Sequence, residues 1–225
     1  MGYRLSPSGA PPIASDTHTR RRAGPEIRFA AMLIVLFVAA QLTDQWLFHH
    51  FAYPAIYDRG WGRMLRLAGY VPVWGIVALA LVLHDGAPRL RAALRQASRR
   101  GVLLFGSAAS AGIAAELLKL VLRRERPGLA DGAHVFRAWS DRPFSSAQLG
   151  LPSSETAVAF AAAAAMARLF PQGRILWYGL AFGCALTRVA SGAHFMSDVV
   201  LAALVGYVVT LIVWRRGGLV RDARV

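Results

Sequence analysis

Apolar residues fill six stretches of the chain, at 29–48, 67–83, 101–121, 156–170, 175–190 and 199–214, with short polar segments between them. A helix that crosses a bilayer uses about 20 apolar residues, with a range of roughly 17 to 25. The first and third stretches reach that length alone, and the others reach it with a few polar flanking residues. The pattern predicts an all-α, polytopic membrane protein, a six-transmembrane-helix bundle in one domain over residues 27–216. Residues 1–26, with Pro7, Pro11, Pro12 and several serines, are expected to form a disordered cytoplasmic tail, and 217–225 a cytoplasmic tail. Val38-Ala39-Ala40 resembles a signal-peptidase site, but the long polar leader and the continuing apolar run predict an uncleaved first helix.

Composition agrees with this pattern. Of 225 residues, 56% are hydrophobic and 17% charged, and the mean hydropathy is +0.41, which places the chain in the membrane class. A net charge of +14 would also suit a nucleic-acid partner, but the placement of the cations excludes one. Arg20, Arg21, Arg22 and Arg28 precede the first stretch, and Arg89, Arg91, Arg95, Arg99 and Arg100 precede the third. Arg215, Arg216, Arg221 and Arg224 follow the sixth. These are cytoplasmic anchors of the positive-inside kind, also suited to anionic headgroups. Six spans put both termini and the 84–100 loop on that same side. The loop between the third and fourth spans, on the outer side, departs from the rule with Arg123, Arg124, Arg126, Arg137 and Arg142, which reads as an anion site. Cys184 is the only cysteine, so a disulfide framework and a cysteine-based zinc site are excluded. No sequence feature speaks to oligomeric state.

Three polar clusters fall at one end of the expected helices, the outer end. In "KLVLRRERP", residues 119–127, Lys119 is the one lysine among 26 lysines and arginines. It either snorkels from a helix end and pairs with Glu116 one turn back, or converges with Arg126 on a phosphate. In the second case the lysine is a point charge and the arginine a two-pronged donor. In "LPSSET", residues 151–156, Ser153 or Ser154 can cap a helix, and Glu155 in the first turn suits the helix dipole. The hydroxyls and free N–H groups of such an end also bind anions.

The third cluster is "TRVASGAHFMSD", residues 187–198, with Arg188, His194 and Asp198. His194 and Asp198 can face each other where the sixth helix starts. The carboxylate then holds one ring nitrogen and leaves the other as nucleophile or base; a helix-capping pair is the alternative. A metal site is not expected there, because the neighbouring arginines would repel a divalent cation.

Lys119-x6-Arg126-Pro127, then Pro152-Ser153, then Arg188-x5-His194-x3-Asp198, in this order and spacing, resemble the tripartite signature of the phosphatidic acid phosphatase type 2 superfamily. The family comprises membrane-embedded lipid phosphatases. The resemblance implies a phosphohistidine at His194, with Asp198 orienting the ring. Lys119, Arg126, Arg188, Ser153 and Ser154 would hold the phosphoryl oxygens, and no metal or cofactor is required. The usual second motif is Pro-Ser-Gly-His; here it is Pro152-Ser153-Ser154-Glu155, and Thr187 replaces the usual serine. Glu155 therefore stands where the family has the acid that protonates the leaving oxygen. Cations around a glutamate favour its ionised form, and burial favours the protonated one.

Two readings follow. The chain is a lipid phosphatase or phosphotransferase acting on a lipid phosphate or a polyprenyl diphosphate, in the inner (cytoplasmic) membrane with its site toward the periplasm. Alternatively, it is a catalytically weakened relative that binds lipid phosphates or serves as a membrane interaction protein. The joint presence of Lys119, Arg126, Arg188, His194 and Asp198 favours the first.

The topology is testable by cysteine labelling in a Cys184→Ala background. Val135→Cys should react with an impermeant maleimide from outside and Arg95→Cys should not; the reverse result would invert the orientation.

Overall fold

The computed structural model describes residues 25–85 and 92–222. Among these residues the architecture is all-helical, with two isolated β-bridges and no strand. The helices are α1 (Pro25–Phe51), α2 (Gly60–Leu67), α3 (Val71–Asp85), α4 (Ala92–Leu122), α5 (Ser154–Leu169), α6 (Arg174–Ala190) and α7 (Met196–Asp222). Short 3₁₀ turns lie at Pro54–Asp58, Pro127–Leu129 and Pro171–Gly173. The arginines at 20–22, 89, 91 and 224, and nearly all of the expected N-terminal tail, lie outside the described residues.

The expected count of six spans is met only in part. By length and composition, three helical segments suffice to cross a bilayer: Ala31–Phe51, Arg99–Leu122 and Met196–Gly217. A fourth arises if Gly60–Leu67 and Val71–His84, bent by 63° at their junction, count together. α5, with 16 residues, is about 24 Å long at roughly 1.5 Å per residue, and α6, with 17, is little longer. Both fall short of a hydrocarbon core of about 30 Å.

α5 forms the centre of the bundle, packed against α4, α6 and α7. Its sequence, SETAVAFAAAAAMARL, is rich in alanine, the strongest helix former. The Ser153 Oγ caps it by accepting from Thr156 N–H at 3.5 Å and from the Thr156 hydroxyl at 3.1 Å. Pro171, just past its end, cannot extend it. Ten of its residues between Thr156 and Met166 are buried. Small side chains there let neighbouring backbones approach, as in membrane helix pairs generally. On α7, a Cβ at Gly206 would lie 2.4 Å from the Ala157 carbonyl oxygen and 2.9 Å from Ala161 N. Thr210, one turn on, donates to the Ala161 carbonyl at 3.2 Å.

The two ends of the bundle differ. At one end Arg99 donates to the Gly217 carbonyl at 2.8 Å, and Arg168 lies over the rings of Tyr207 and Trp214. At the other end, α4 finishes, α5 and α7 begin, and the 123–153 loop folds over them.

Gly206→Ala should destabilise the protein by about 1–3 kcal/mol through overpacking, read as a lower Tm in detergent. Gly179→Ala, where nothing lies within 4 Å of the added Cβ, should leave Tm unchanged or raise it. Equal melting of the two variants would contradict the close α5–α7 contact.

Candidate active site

The 123–153 loop is built on arginines rather than on apolar packing. Arg123, buried and at a φ of 55°, donates to the carbonyls of Arg137 at 3.1 Å, Ala138 at 2.8 Å and Asp141 at 2.5 Å. Arg137 donates to Glu125 Oε1 at 3.1 Å and to the Ala147 carbonyl at 2.9 Å. An irregular loop has carbonyls without ladder partners, and buried guanidinium groups with five donors each supply them. This narrows the reading of five loop arginines as one anion site. Arg123, Arg124 and Arg137 are occupied by protein acceptors, and exposed Arg142 pairs with Asp141 at 3.2 Å. Half-buried Arg126 has a buried Nε with no hydrogen-bond partner, as does Arg124, whose two other nitrogens are bonded to Gln41, Ser197 and Asp198.

The three polar clusters meet at this end of the bundle. Lys119 Nζ, buried at the end of α4, donates to Glu116 Oε1 at 2.7 Å and to Ser154 Oγ at 2.7 Å. The local pair of Lys119 with Glu116 is present, and a bond to the start of α5 accompanies it. Ser154 in turn donates to Glu116 at 2.5 Å. Ser153 N–H donates to the Asp198 carbonyl at 3.2 Å, joining the first turns of α5 and α7.

Arg188, near the end of α6, is buried; its Nη1 donates to the Tyr57 hydroxyl at 3.0 Å and lies 3.4 Å from Glu155 Oε2. Its Nε, like that of Arg126, is buried without a partner. Burial and the Arg188 cation both push the Arg126 pKa below its ordinary value. Two cations in such proximity suit an anion shared between them.

His194 lies in the turn between α6 and α7, and Asp198 in the first turn of α7. The His194 Nδ1 is 3.0 Å from the Gly150 carbonyl and 3.5 Å from Asp198 Oδ2. A carbonyl only accepts, so this bond places the proton on Nδ1 and leaves a lone pair on Nε2. Gly150 permits the approach, since a Cβ there would lie 3.0 Å from Asp198 Oδ2. Burial is the main cause holding the His194 pKa below its ordinary value; Asp198 opposes it, and Arg188 and Arg126 add to it. The ring is therefore neutral at neutral pH. Asp198 is fully buried, with Arg124 Nη2 donating to Oδ1 at 2.6 Å and Phe195 N–H to Oδ2 at 2.8 Å.

Glu155 has a partner that sequence reasoning missed. Arg66, on α2, donates to it through two parallel bonds, Nε to Oε2 at 2.9 Å and Nη2 to Oε1 at 2.8 Å. Arg66 also lies over the rings of Tyr57 and Tyr70. With Arg188 beside it as well, Glu155 is an ion-paired acceptor in the first turn of α5. Beneath it, a cavity of about 520 Å³ between α3, α4 and α5 is lined by Glu116, Ser154, Glu155 and apolar residues including Val71 and Ile113. Arg66, Tyr57 and Gly150 had no local signal, and Arg124, read with the loop arginines as part of an anion site, instead pairs with Asp198; each acts across a long stretch of chain.

The PAP2 superfamily model matches residues 100–220. A lipid A 1-phosphatase of Rhizobium johnstonii is 37% identical over 124 residues, 53% of this chain and 50% of the relative. A lipid A 1-phosphatase of Rhizobium etli is 36% identical over 124 residues, 53% of this chain and 52% of the relative. The chain spans about half the length of these curated relatives.

The Arg66–Glu155 pair should be energetically coupled. A double-mutant cycle of Arg66→Ala and Glu155→Ala on unfolding stability in detergent should give a coupling of about 0.5–3 kcal/mol, the range for residues in direct contact. Additive effects would show that the two-bond pair carries no stabilising interaction.

Proposed function

Because the chain belongs to the PAP2 superfamily, we propose that it is an integral membrane lipid phosphatase that passes the phosphoryl group through His194. Nε2 attacks phosphorus, the bond to the leaving oxygen breaks, and the electron pair departs with that oxygen. Water then attacks the phosphohistidine, releasing inorganic phosphate and restoring the ring. Lys119, Arg126 and Arg188, with Ser153 and Ser154, bind the phosphoryl oxygens and offset the charge that develops in transfer. Asp198 orients and stabilises the ring. The observation that carries this reading is the Nδ1 hydrogen bond to the Gly150 carbonyl, which leaves Nε2 unprotonated in a ring that feels the charges of buried Arg188 and half-buried Arg126.

Glu155 sets the substrate class. Ion-paired to Arg66 by two bonds, it is an acceptor and a poor proton donor. A lipid alkoxide leaves badly without a proton, whereas a phosphate leaving group needs none. The reading therefore favours a diphosphate, such as a polyprenyl diphosphate, over a simple lipid monophosphate. The name of the Rhizobium relatives makes lipid A a third substrate to test. The weakened-relative reading draws on the same pair, since general acid help is worth about 10²–10⁴ in rate.

We place the protein in the cytoplasmic membrane with six crossings, α5 crossing as a short helix buried among its neighbours and α6 as a short helix whose exposed apolar residues, Ile175, Leu176, Phe182 and Leu186, would face lipid. Arg99, Arg100, Arg168, Arg174 and Arg215 at the end opposite the site support a periplasmic site under the positive-inside rule.

The test is phosphate release by purified protein on polyprenyl diphosphate, the matched monophosphate and lipid A. The diphosphate should turn over faster than the monophosphate, and His194→Ala should lose about 10³-fold or more. Binding of all three without release would support the weakened relative. Equal release by His194→Ala would remove the phosphohistidine.

A further inference from the structure

α1 lies outside the region matched by the family, yet it places a carboxylate against the catalytic turn. Asp44, two turns before α1 ends, is buried. Its Oδ1 accepts the Ser197 N–H at 2.9 Å, and its Oδ2 accepts the Ser197 hydroxyl. Ser197 and Asp198 are consecutive, so α1 fixes the first turn of α7 immediately beside the residue that faces His194.

Arg124 completes the arrangement. Its Nη2 donates to Ser197 Oγ at 2.6 Å and to Asp198 Oδ1 at 2.6 Å. Its Nη1 donates to Gln41 Oε1 at 2.8 Å, one turn before Asp44, and lies 3.6 Å from Asp44 Oδ2. From the loop, His134 Nε2 comes to 3.2 Å of the same oxygen, at ion-pair distance but without hydrogen-bond alignment. The charged and titratable groups facing Asp44 are thus Arg124 and His134 from the loop and Asp198 from α7. A charged residue in a spanning helix defaults to function, and the phosphatase reading as stated does not use this one.

We propose that Asp44 is a positioning residue for the nucleophile: through Ser197 and Arg124 it sets where Asp198 lies and how much of the Arg124 charge Asp198 carries. The proposal rests on the phosphatase reading. Two carboxylates share one guanidinium. Removing the Asp44 charge would leave Arg124 to Asp198 alone, weakening the acceptor that faces the His194 ring. It would also remove a negative charge from the neighbourhood of the imidazolium. Both effects disfavour protonated His194, so its titration would move to lower pH.

The experiment compares wild type with Asp44→Asn, which keeps size and shape, in two readouts. In turnover of polyprenyl diphosphate, kcat should fall by about 10–100-fold with KM within about twofold. The acid limb of the kcat/KM profile should move down by about half a pH unit or more. In NMR of histidine-labelled protein in detergent, the His194 midpoint should move the same way whether or not turnover is seen. An unshifted midpoint and acid limb would overturn the proposal, even with reduced kcat, because a purely structural clamp lowers the amount of folded enzyme and not the pH response. Absence of release by wild type would count against the phosphatase reading alone, since the NMR midpoint still decides the Asp44 proposal. If Asp44→Asn does not fold, Ser197→Ala serves in its place. It frees Asp198 from the hydroxyl link to Asp44 while every charge remains, so the His194 midpoint should move down by less than expected for Asp44→Asn, with kcat cut severalfold; an unshifted midpoint would overturn the proposal.

Discussion

A guanidinium buried between two carboxylates decides where everything else at this end of the bundle can lie. Arg124, Asp198 and Asp44 are all buried, and a lone charge in such surroundings would carry a heavy desolvation penalty. Breaking a buried pair by removing one partner typically costs about 3–5 kcal/mol. The chain meets this constraint by bringing the end of α1, the turn after α4 and the start of α7 to one point. Once they are there, the His194 turn has little freedom, and the Gly150 carbonyl and Asp198 Oδ2 meet the same ring nitrogen. The loop around them is then held by Arg123 and Arg137, which serve as carbonyl partners rather than as anion binders.

Much of this was legible in the sequence because it was local. Alternating apolar runs and arginine clusters give the helical membrane class, and Ser153 followed by an alanine-rich stretch gives the start of α5. Spacing gives the three clusters. What escaped is long-range or ambiguous. The apolar run at 67–83 takes in most of α3 and only the last residue of α2, and Ala68 to Tyr70 turns the chain through a 63° bend between the two helices. α5 and α6 look like spans by composition, yet they are too short to cross unaided. Asp44 hides inside an apolar run, and its partner Ser197 lies 153 residues away. Arg66 and Glu155 are 89 residues apart, so no spacing rule could have joined them.

Glu155 shows why identity at a motif position does not fix a role. By position it belongs to the first turn of a helix, where a carboxylate is favoured by the dipole. By resemblance it stands where a proton donor is usual. Its surroundings favour the acceptor state, with Arg66 on both oxygens and Arg188 at 3.4 Å. On the proposed reading the consequence passes from the site to the substrate: a site lacking an acid would select for a leaving group that needs none.

The central claim is that His194 Nε2 takes the phosphoryl group. Peptide mass spectrometry after rapid alkaline quench of the reaction with a polyprenyl diphosphate tests it most directly, because phosphohistidine survives base. The account predicts a phosphoryl group on the peptide that contains His194, attached at Nε2, during turnover. Turnover with the phosphoryl group on another side chain, or on none at any point before phosphate release, would contradict it.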